Sequence, residues 1–121
     1  MNLHLIPTAV AAAALALALP ARAADAPKRT PELVEQGKVA FGKYCAACHG
    51  AKGEGDGPAS KALKPPPRNL VTQPVQGGAP EVFQVLGTGV KGTAMIPFKH
   101  LSETDRWALA HYVASLEQKK K

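Results

Sequence analysis

Aromatic side chains are scarce in this chain. Of its 121 residues, three are Phe, two are Tyr and one is Trp. A short chain buries a small share of its surface, so a core with so few large side chains is only marginally stable. Cysteine is rarer still, and the two that are present stand three positions apart. The composition therefore predicts a single domain whose core needs additional support, with the cysteine pair as the first place to look for it.

Long apolar runs, repeats and Arg-rich stretches are absent beyond the N-terminus. No run of roughly 18 or more apolar residues occurs there, so we expect no stable membrane insertion of the mature chain. No period of about 20 to 50 residues indicates a repeat protein. The formal net charge is +6, but the basic residues form no Arg-rich face and do not alternate with aromatics. Nucleic acid is therefore not an expected partner.

The N-terminal segment, residues 1–23, has the layout of a secretory signal peptide. An apolar stretch from Leu3 to Leu19 precedes residues 21–23, which read Ala-Arg-Ala and fit a cleavage site between small residues. No Lys or Arg precedes the apolar stretch, so an uncleaved anchor remains the alternative. We expect cleavage after residue 23, a mature domain over residues 24–121, and a periplasmic location.

The first half of the mature chain predicts one helix followed by a long loop. Thr30 and Pro31 are typical of an N-cap and a first helical position, and the first helix is expected over residues 31–44. Glycine and proline then interrupt the pattern from residue 50 to residue 78, apart from a short helical turn around residues 59–63.

The second half predicts two more helices. One is expected to begin at Pro80 and to end at Gly87 or Gly89. The last begins with Ser102 as N-cap and Asp105 three residues later, and apolar residues follow at helical spacing. No period-two stretch indicates a strand, so the expected class is all-α with long loops.

The chemistry-bearing motif is Cys45-Ala46-Ala47-Cys48-His49. Two thiols spaced i, i+3 with an imidazole directly after them form the C-x-x-C-H pattern of covalent haem attachment. Residues three apart at a helix end point the same way, so both sulfurs can reach the two vinyl groups of one porphyrin. The adjacent imidazole can then supply an axial nitrogen to the iron. The motif predicts one covalently attached haem c.

Three other interpretations of the cysteine pair fit the sequence less well. A redox dithiol is typical of a strand-to-helix turn in a βαβ pattern, which is missing here. Structural zinc takes four ligands, and two cysteines with scattered histidines do not supply a usual set. A disulfide between residues this close would close a very small loop and contribute little stability.

With this motif in place, the chain resembles the small bacterial class I c-type cytochromes over roughly residues 31–116. The residues that carry the resemblance are Gly37, Phe41, the 45–49 motif, Gly57-Pro58, Met95 with Pro97, and Leu109 with Tyr112. The resemblance implies a cytochrome c fold, with about three to four helices and long loops wrapped around one covalently bound haem. It also implies that the first helix packs against the last one.

The same resemblance assigns Met95 as the second axial ligand of the iron, opposite His49. Met95 is the one methionine of the expected mature chain, and it lies in a loop bounded by Gly92 and Pro97. In the family a proline commonly follows this methionine directly, whereas Ile96 intervenes here.

Other residues near the expected site have alternative interpretations. His100 and His111 are possible ligands in place of the methionine, but we expect both to be exposed. Pro58 resembles the family proline whose carbonyl accepts the Nδ1–H of the axial histidine. Arg68 and Asn69 could hydrogen-bond a haem propionate, and a solvated loop is the equal alternative.

Axial ligation by histidine and methionine closes both iron positions, so electron transfer is the expected function. We expect a periplasmic one-electron carrier that is not an enzyme. The alternative is a cytochrome c subunit of a larger periplasmic oxidoreductase complex, of the dehydrogenase or sulfur-oxidation type. A five-coordinate haem enzyme or gas sensor is a third possibility, which carbon monoxide binding would distinguish.

The expected partners are redox proteins, with the chain acting as a monomer or as a subunit of a complex. Six lysines, most of them in loops, are expected near the haem edge: Lys43, Lys52, Lys61, Lys64, Lys91 and Lys99. Positive charge of this kind steers association in a salt-dependent way, so acidic docking patches are expected on the partners.

Overall fold

The computed structural model describes residues 26–117, which form an all-helical domain. Its elements are α1 Pro31–Tyr44, α2 Ala46–His49, a 3-10 turn Ser60–Ala62, α3 Gly78–Thr88 and α4 Glu103–Leu116. This described range holds no strand, and the all-α class is confirmed. The expected signal peptide, residues 1–23, lies outside the described residues. None of the helices between residues 26 and 117 has the length and apolar content needed to cross a membrane.

Helix α1 has the bounds that its sequence predicts. The Thr30 side-chain oxygen accepts a hydrogen bond from the backbone N–H of Leu33 at 3.1 Å, and Pro31 occupies the first helical position. One face of α1 is buried against α4. The rings of Phe41 and Tyr112 meet there with centroids 5.2 Å apart, which confirms the packing of the first helix on the last.

Helix α4 carries most of the core. Its N-cap is Ser102, whose side chain accepts from the Asp105 N–H at 3.0 Å, as the sequence predicts. Along α4, eight residues are buried: Trp107, Ala108, Leu109, Ala110, His111, Tyr112, Ser115 and Leu116. The indole of Trp107 stacks on Phe83 of α3 with ring centroids 4.1 Å apart, so α4 joins the other two long helices.

Helix α3 begins earlier than the sequence pattern indicates. The expected start is Pro80, but the helix begins at Gly78 because the loop already turns at Gly77, whose φ of 89° lies in the left-handed region. Pro80 then falls in the first turn, where a missing N–H leaves no helical hydrogen bond unmade. The helix ends at Thr88 with Gly89 as its C-cap, one of the two expected ends.

The expectation that His111 is exposed is wrong. His111 is 8% exposed, and its Nε2 lies 2.8 Å from the backbone carbonyl oxygen of Pro27. The imidazole thereby fastens the segment before α1 onto α4. His100 is exposed as expected.

Candidate functional site

The cysteines and His49 lie where α1 passes into α2. Cys45 separates the two helices: its N–H still donates to the Phe41 carbonyl at 2.9 Å, but its φ of −119° departs from helical geometry. The His49 N–H donates back to the Cys45 carbonyl at 2.9 Å and closes one turn. Both cysteines are free thiols, and both border the same cavity.

The loop that follows α2 holds this turn in place. The last carbonyls of a helix lack partners inside it, and the loop supplies them. Gly57 donates to the Cys48 carbonyl at 3.1 Å, and Ala59 donates to the Ala47 carbonyl at 2.9 Å. Glycine is required at position 57, since a Cβ there would collide with the Ala47 carbonyl oxygen.

The imidazole of His49 is oriented by a backbone carbonyl. Its Nδ1 lies 3.2 Å from the carbonyl oxygen of Arg68. A carbonyl can only accept, so Nδ1 carries the proton of the neutral ring and Nε2 keeps a free lone pair. Burial lowers the pKa of His49, and the hydrogen bond to Arg68 opposes that shift. The ring is therefore held neutral, in the tautomer that a metal ligand needs.

The sequence analysis expects the Pro58 carbonyl to accept the His49 Nδ1–H, and the structure corrects this expectation. Pro58 is exposed, and the Nδ1 partner lies on Arg68 instead. The reason is the turn at Asn69, whose side-chain oxygen accepts from the N–H groups of Val71 and Thr72 at 3.0 Å each. This turn directs the carbonyl of the preceding residue towards the ring.

Burial raises the pKa of the Cys45 thiol to about 12, with the neighbouring Cys48 as a smaller cause. The thiol therefore remains protonated at neutral pH. Because the thiolate is the reactive form of cysteine, this environment does not favour a redox dithiol.

Met95 is carried by the loop after α3, which is internally hydrogen-bonded. The Val90 N–H donates to the Met95 carbonyl at 2.9 Å, and the Met95 N–H donates to the Thr93 hydroxyl oxygen at 3.1 Å. Gly89 permits this closure: its φ is 67°, and a Cβ there would lie 2.6 Å from the Met95 carbonyl oxygen. The half-buried Met95 is therefore presented from a defined backbone.

Two adjoining cavities, together called the cleft here, lie between the motif and the Met95 loop. Their volumes are about 640 and 290 Å³. Both cavities are bordered by Cys45, His49, Pro65, Thr93 and Met95. The larger cavity is also lined by the core residues Phe41, Leu70, Val82 and Leu86, and by the partly buried Val85 and Val113. The smaller one is also lined by Tyr44, Cys48, Leu63, Pro67, Ala94, Ile96 and Phe98.

The cleft brings together most of the residues predicted for the site. Cys45, Cys48, His49 and Met95 border it, and Arg68 lines the larger cavity. Pro58 and Asn69 line neither cavity. The Asn69 side-chain oxygen is engaged by the backbone of its own turn, and a hydrogen bond from its side-chain NH2 group to a haem propionate stays a prediction.

Sequence reasoning missed several residues of the cleft. Thr93 bonds the Met95 backbone and borders both cavities, and its position two residues before the methionine is a usable signal. Tyr44 and Phe98 line the smaller cavity, whereas Gln76 and Glu81 line the larger. Tyr44 adjoins the 45–49 motif and Phe98 follows Met95 by three residues, whereas no local pattern marks Gln76 and Glu81, which lie far from both in the sequence.

The residues of the cleft fit a covalently attached haem. Two thiols, an imidazole with a free Nε2 and a thioether border one largely apolar space. Nitrogen and soft sulfur are a known donor pair for haem iron. The larger cavity, about 640 Å³, lies within the range of roughly 300–1,000 Å³ that ligand pockets occupy.

An all-α fold with this donor set at one apolar cleft defines a class I c-type cytochrome. The comparison with known families agrees, since the model of the family described as Cytochrome c matches residues 34–117. The chain therefore belongs to the cytochrome c family, and that membership indicates electron transfer with haem c.

Among solved structures, the chain is similar to a chain of the reducing HAO-like protein complex of Kuenenia stuttgartiensis. The two are 34% identical, with a TM-score of 0.67. The match covers 75% of this chain and 46% of that one, so this chain spans less than half the length of that protein. No curated protein sequence matches the chain.

Proposed function

We propose that the chain is a periplasmic one-electron carrier with a single haem c, ligated by His49 and Met95, and without substrate chemistry of its own. The observation that carries the proposal is that an imidazole with a free Nε2 and a hydrogen-bonded methionine loop border the smaller cavity, which both thiols also line. The chain contains one C-x-x-C-H motif, which supports a single haem.

The candidate haem-binding residues have separate parts in this function. Haem c supplies a ferric/ferrous couple, whose potential is raised by thioether ligation. Cys45 and Cys48, at the end of α1, would hold the haem covalently through their sulfurs. The Arg68 carbonyl keeps His49 in the ligating tautomer. The Met95 thioether would be the second protein ligand of the iron, and with His49 it would leave no coordination site for a substrate.

The surface around the smaller cavity supports docking of an acidic redox partner. Ile96 lines this cavity and is 59% exposed. Exposed lysines stand beside other lining residues: Lys43 beside Tyr44, Lys64 beside Leu63, and Lys99 beside Phe98. An apolar centre with a positive rim complements an acidic surface and accelerates encounter at low salt.

Export is proposed on the signal-like layout of residues 1–23. Its test is the intact mass of the protein recovered from the periplasmic fraction. A chain that begins at residue 24 and carries one haem is the expected species. An uncleaved chain in the membrane fraction would contradict cleavage.

Methionine ligation is tested by Met95→Ala. We expect the oxidised holoprotein to lose the weak charge-transfer band at the red end of its spectrum, and the reduced protein to bind carbon monoxide, because the variant opens an axial position. Absorption spectroscopy measures both. Ile96→Ala is the matched control, since it truncates the next side chain in the same loop and should leave both readouts unchanged.

Two results would contradict the carrier. Avid carbon monoxide binding by the reduced wild-type protein would show that Met95 is not a ligand. A purified polypeptide with two unmodified thiols would show that no haem is attached. Either result is independent of the partner's identity.

The second candidate is a cytochrome c subunit of a larger oxidoreductase complex. It is favoured by the similarity to one chain of a protein complex, of which the match covers 46%. Native mass spectrometry of the protein purified from its own host distinguishes the two. A monomer that exchanges electrons with soluble partners supports the carrier, whereas stable co-purification with a catalytic chain supports the subunit.

A further inference from the structure

Two charged side chains stand out in the lining of the larger cavity. Apart from His49, the described residues that line it are uncharged except for Arg68 and Glu81. Glu81 is also the single acidic residue between positions 57 and 102, a stretch that holds five basic ones. A lone carboxylate thus faces the cleft from the most basic part of the described chain.

The position of Glu81 is set by the backbone around it. Glu81 lies in the first turn of α3, whose residues Val82, Val85 and Leu86 line the same cavity. Gly77 packs closely against its stem, so that a Cβ at position 77 would lie 3.0 Å from the Glu81 Cβ. Glu81 is therefore carried by the helix face that forms the cavity wall.

The charge of Glu81 is not neutralised by a direct ion pair. Within residues 26–117 the salt bridge that forms is Glu35–Lys38, with Nζ and Oε1 3.6 Å apart. Glu81 is exposed, so its field reaches the cleft partly screened by solvent and salt. Arg68, which lines the same cavity and is also exposed, carries the opposite charge.

We propose that Glu81 and Arg68 set the reduction potential of the haem with opposite signs. This inference rests on the proposed function. Ferric iron carries one more positive charge than ferrous iron, so a nearby carboxylate stabilises the ferric state and a nearby guanidinium destabilises it. Glu81 therefore lowers the potential and Arg68 raises it. Neither residue is a ligand, and both act through the field at the cleft.

The test is the midpoint potential of the holoprotein, measured by spectroelectrochemical titration. Glu81→Gln keeps the shape of the side chain and removes its charge, and we expect a higher potential. Arg68→Gln should lower the potential, because it removes a positive charge from the cleft. The carbonyl that orients His49 belongs to the backbone of residue 68 and is retained in this variant. Both shifts should shrink as the ionic strength rises, since exposed charges are screened by salt.

Two further variants separate the local effect from that of net charge. Glu32→Gln is the matched control: it removes a carboxylate from the first turn of α1, where the residue is exposed and lines neither cavity. Glu81→Asp retains the charge and should keep the potential close to the wild-type value. A structural role of Glu81 would instead make Asp and Gln similar.

The inference is overturned if Glu81→Gln moves the potential no more than Glu32→Gln does, or lowers it, while the absorption spectrum stays native. That outcome leaves the proposed function intact. Failure of the proposed function has a different signature, namely a wild-type protein without covalent haem or without the charge-transfer band of methionine ligation.

Discussion

Gly37 and Gly42 occupy the same helix but have opposite surroundings. Gly37 is buried where α1 crosses α4, and a Cβ there would collide with the carbonyl oxygen of Ala108. Gly42 is exposed one and a half turns later, and a Cβ there would meet nothing within 4 Å. One glycine permits the helix contact, whereas the other only weakens its helix.

These surroundings predict opposite effects of alanine. Gly42→Ala should raise the free energy of unfolding by about 0.5–1 kcal/mol, because glycine costs that much inside a helix. Gly37→Ala should lower it, because α1 must move away from α4. Thermal and denaturant unfolding of the holoproteins measure both changes. Equal effects of the two substitutions would contradict the contact between the helices.

The orientation of His49 also belongs to the residue scale. The sequence alone predicts that this imidazole follows the second thiol of the motif. It does not predict which carbonyl accepts its Nδ1–H, because Arg68 lies 19 positions away and is directed by the side chain of Asn69. The family resemblance favours the Pro58 carbonyl as the acceptor of this hydrogen bond. In the structure the turn at Asn69 places the Arg68 carbonyl there instead.

At the scale of elements, the N-terminus of α4 is tied to α1 by a small polar network. The Ser102 hydroxyl donates to a carboxylate oxygen of Asp105 at 2.8 Å and accepts from the Asp105 N–H at 3.0 Å. The Gln36 side-chain amide of α1 donates to the other oxygen at 2.9 Å. Both side-chain bonds, with Ser102 the larger cause, hold the pKa of Asp105 below its ordinary value.

This network predicts the effect of Ser102→Ala. Loss of an N-cap should cost about 1 kcal/mol of unfolding free energy at neutral pH. The cost should decrease on acidification: a carboxyl with a lowered folded-state pKa contributes stability above its ordinary pKa, about 3.9, and that contribution is lost as the pH falls through the folded value. Urea unfolding at a series of pH values measures the change.

The matched control for that experiment is Ser60→Ala. Ser60 lies in the 3-10 turn, and within residues 26–117 its hydroxyl forms no hydrogen bond. The control should show little change at any pH. If Ser102→Ala lowers the free energy of unfolding by the same amount at neutral and at acidic pH, the hydrogen bond from the Ser102 hydroxyl to the Asp105 carboxylate contributes nothing to stability.

Some helix boundaries are predicted by the residues next to them, and others are not. The bounds of α1 and the cap of α4 follow from their own residues, since Thr30 and Ser102 satisfy N–H groups within the next three positions. The start of α3 does not follow from its own residues, because Gly77 and Gly78 take positive φ angles that glycine permits but does not require. The conformation of the long loop decides that start.

At the scale of the whole molecule, the cleft is a space that the side chains do not fill. The larger cavity, about 640 Å³, is lined by residues that also belong to the core, among them Phe41, Leu70, Val82 and Leu86. Unfilled apolar volume is destabilising because its lining loses packing contacts. The scarcity of aromatic side chains and the size of the cleft both mean that the side chains of this domain do not fill its core by themselves.

The expected consequence is that the fold depends on the haem. The double variant Cys45→Ser, Cys48→Ser, which cannot attach haem covalently, should show a reduced helical circular dichroism signal and no cooperative thermal transition. The holoprotein should unfold cooperatively, because the apolar faces of the attached ring would be buried in the cleft only in the folded state. An apoprotein with native helix content and a sharp transition would contradict this dependence.

The sequence by itself determined the features that depend on neighbouring residues. The 45–49 motif and the bounds of α1 follow from spacings of a few positions, and the all-α class follows from the helical period. The assignment of Met95 as a ligand came from resemblance to a family. It stays a prediction that the cleft supports, because Met95 borders the cavities next to His49.

The tertiary structure decided the contacts between distant segments. It placed the Arg68 carbonyl on His49, buried His111 against Pro27, and brought Glu81 to the wall of the cleft. The physical reason is common to all three. Hydrogen bonds and charges act at short range in space, and only the packed chain determines which distant residues come within that range.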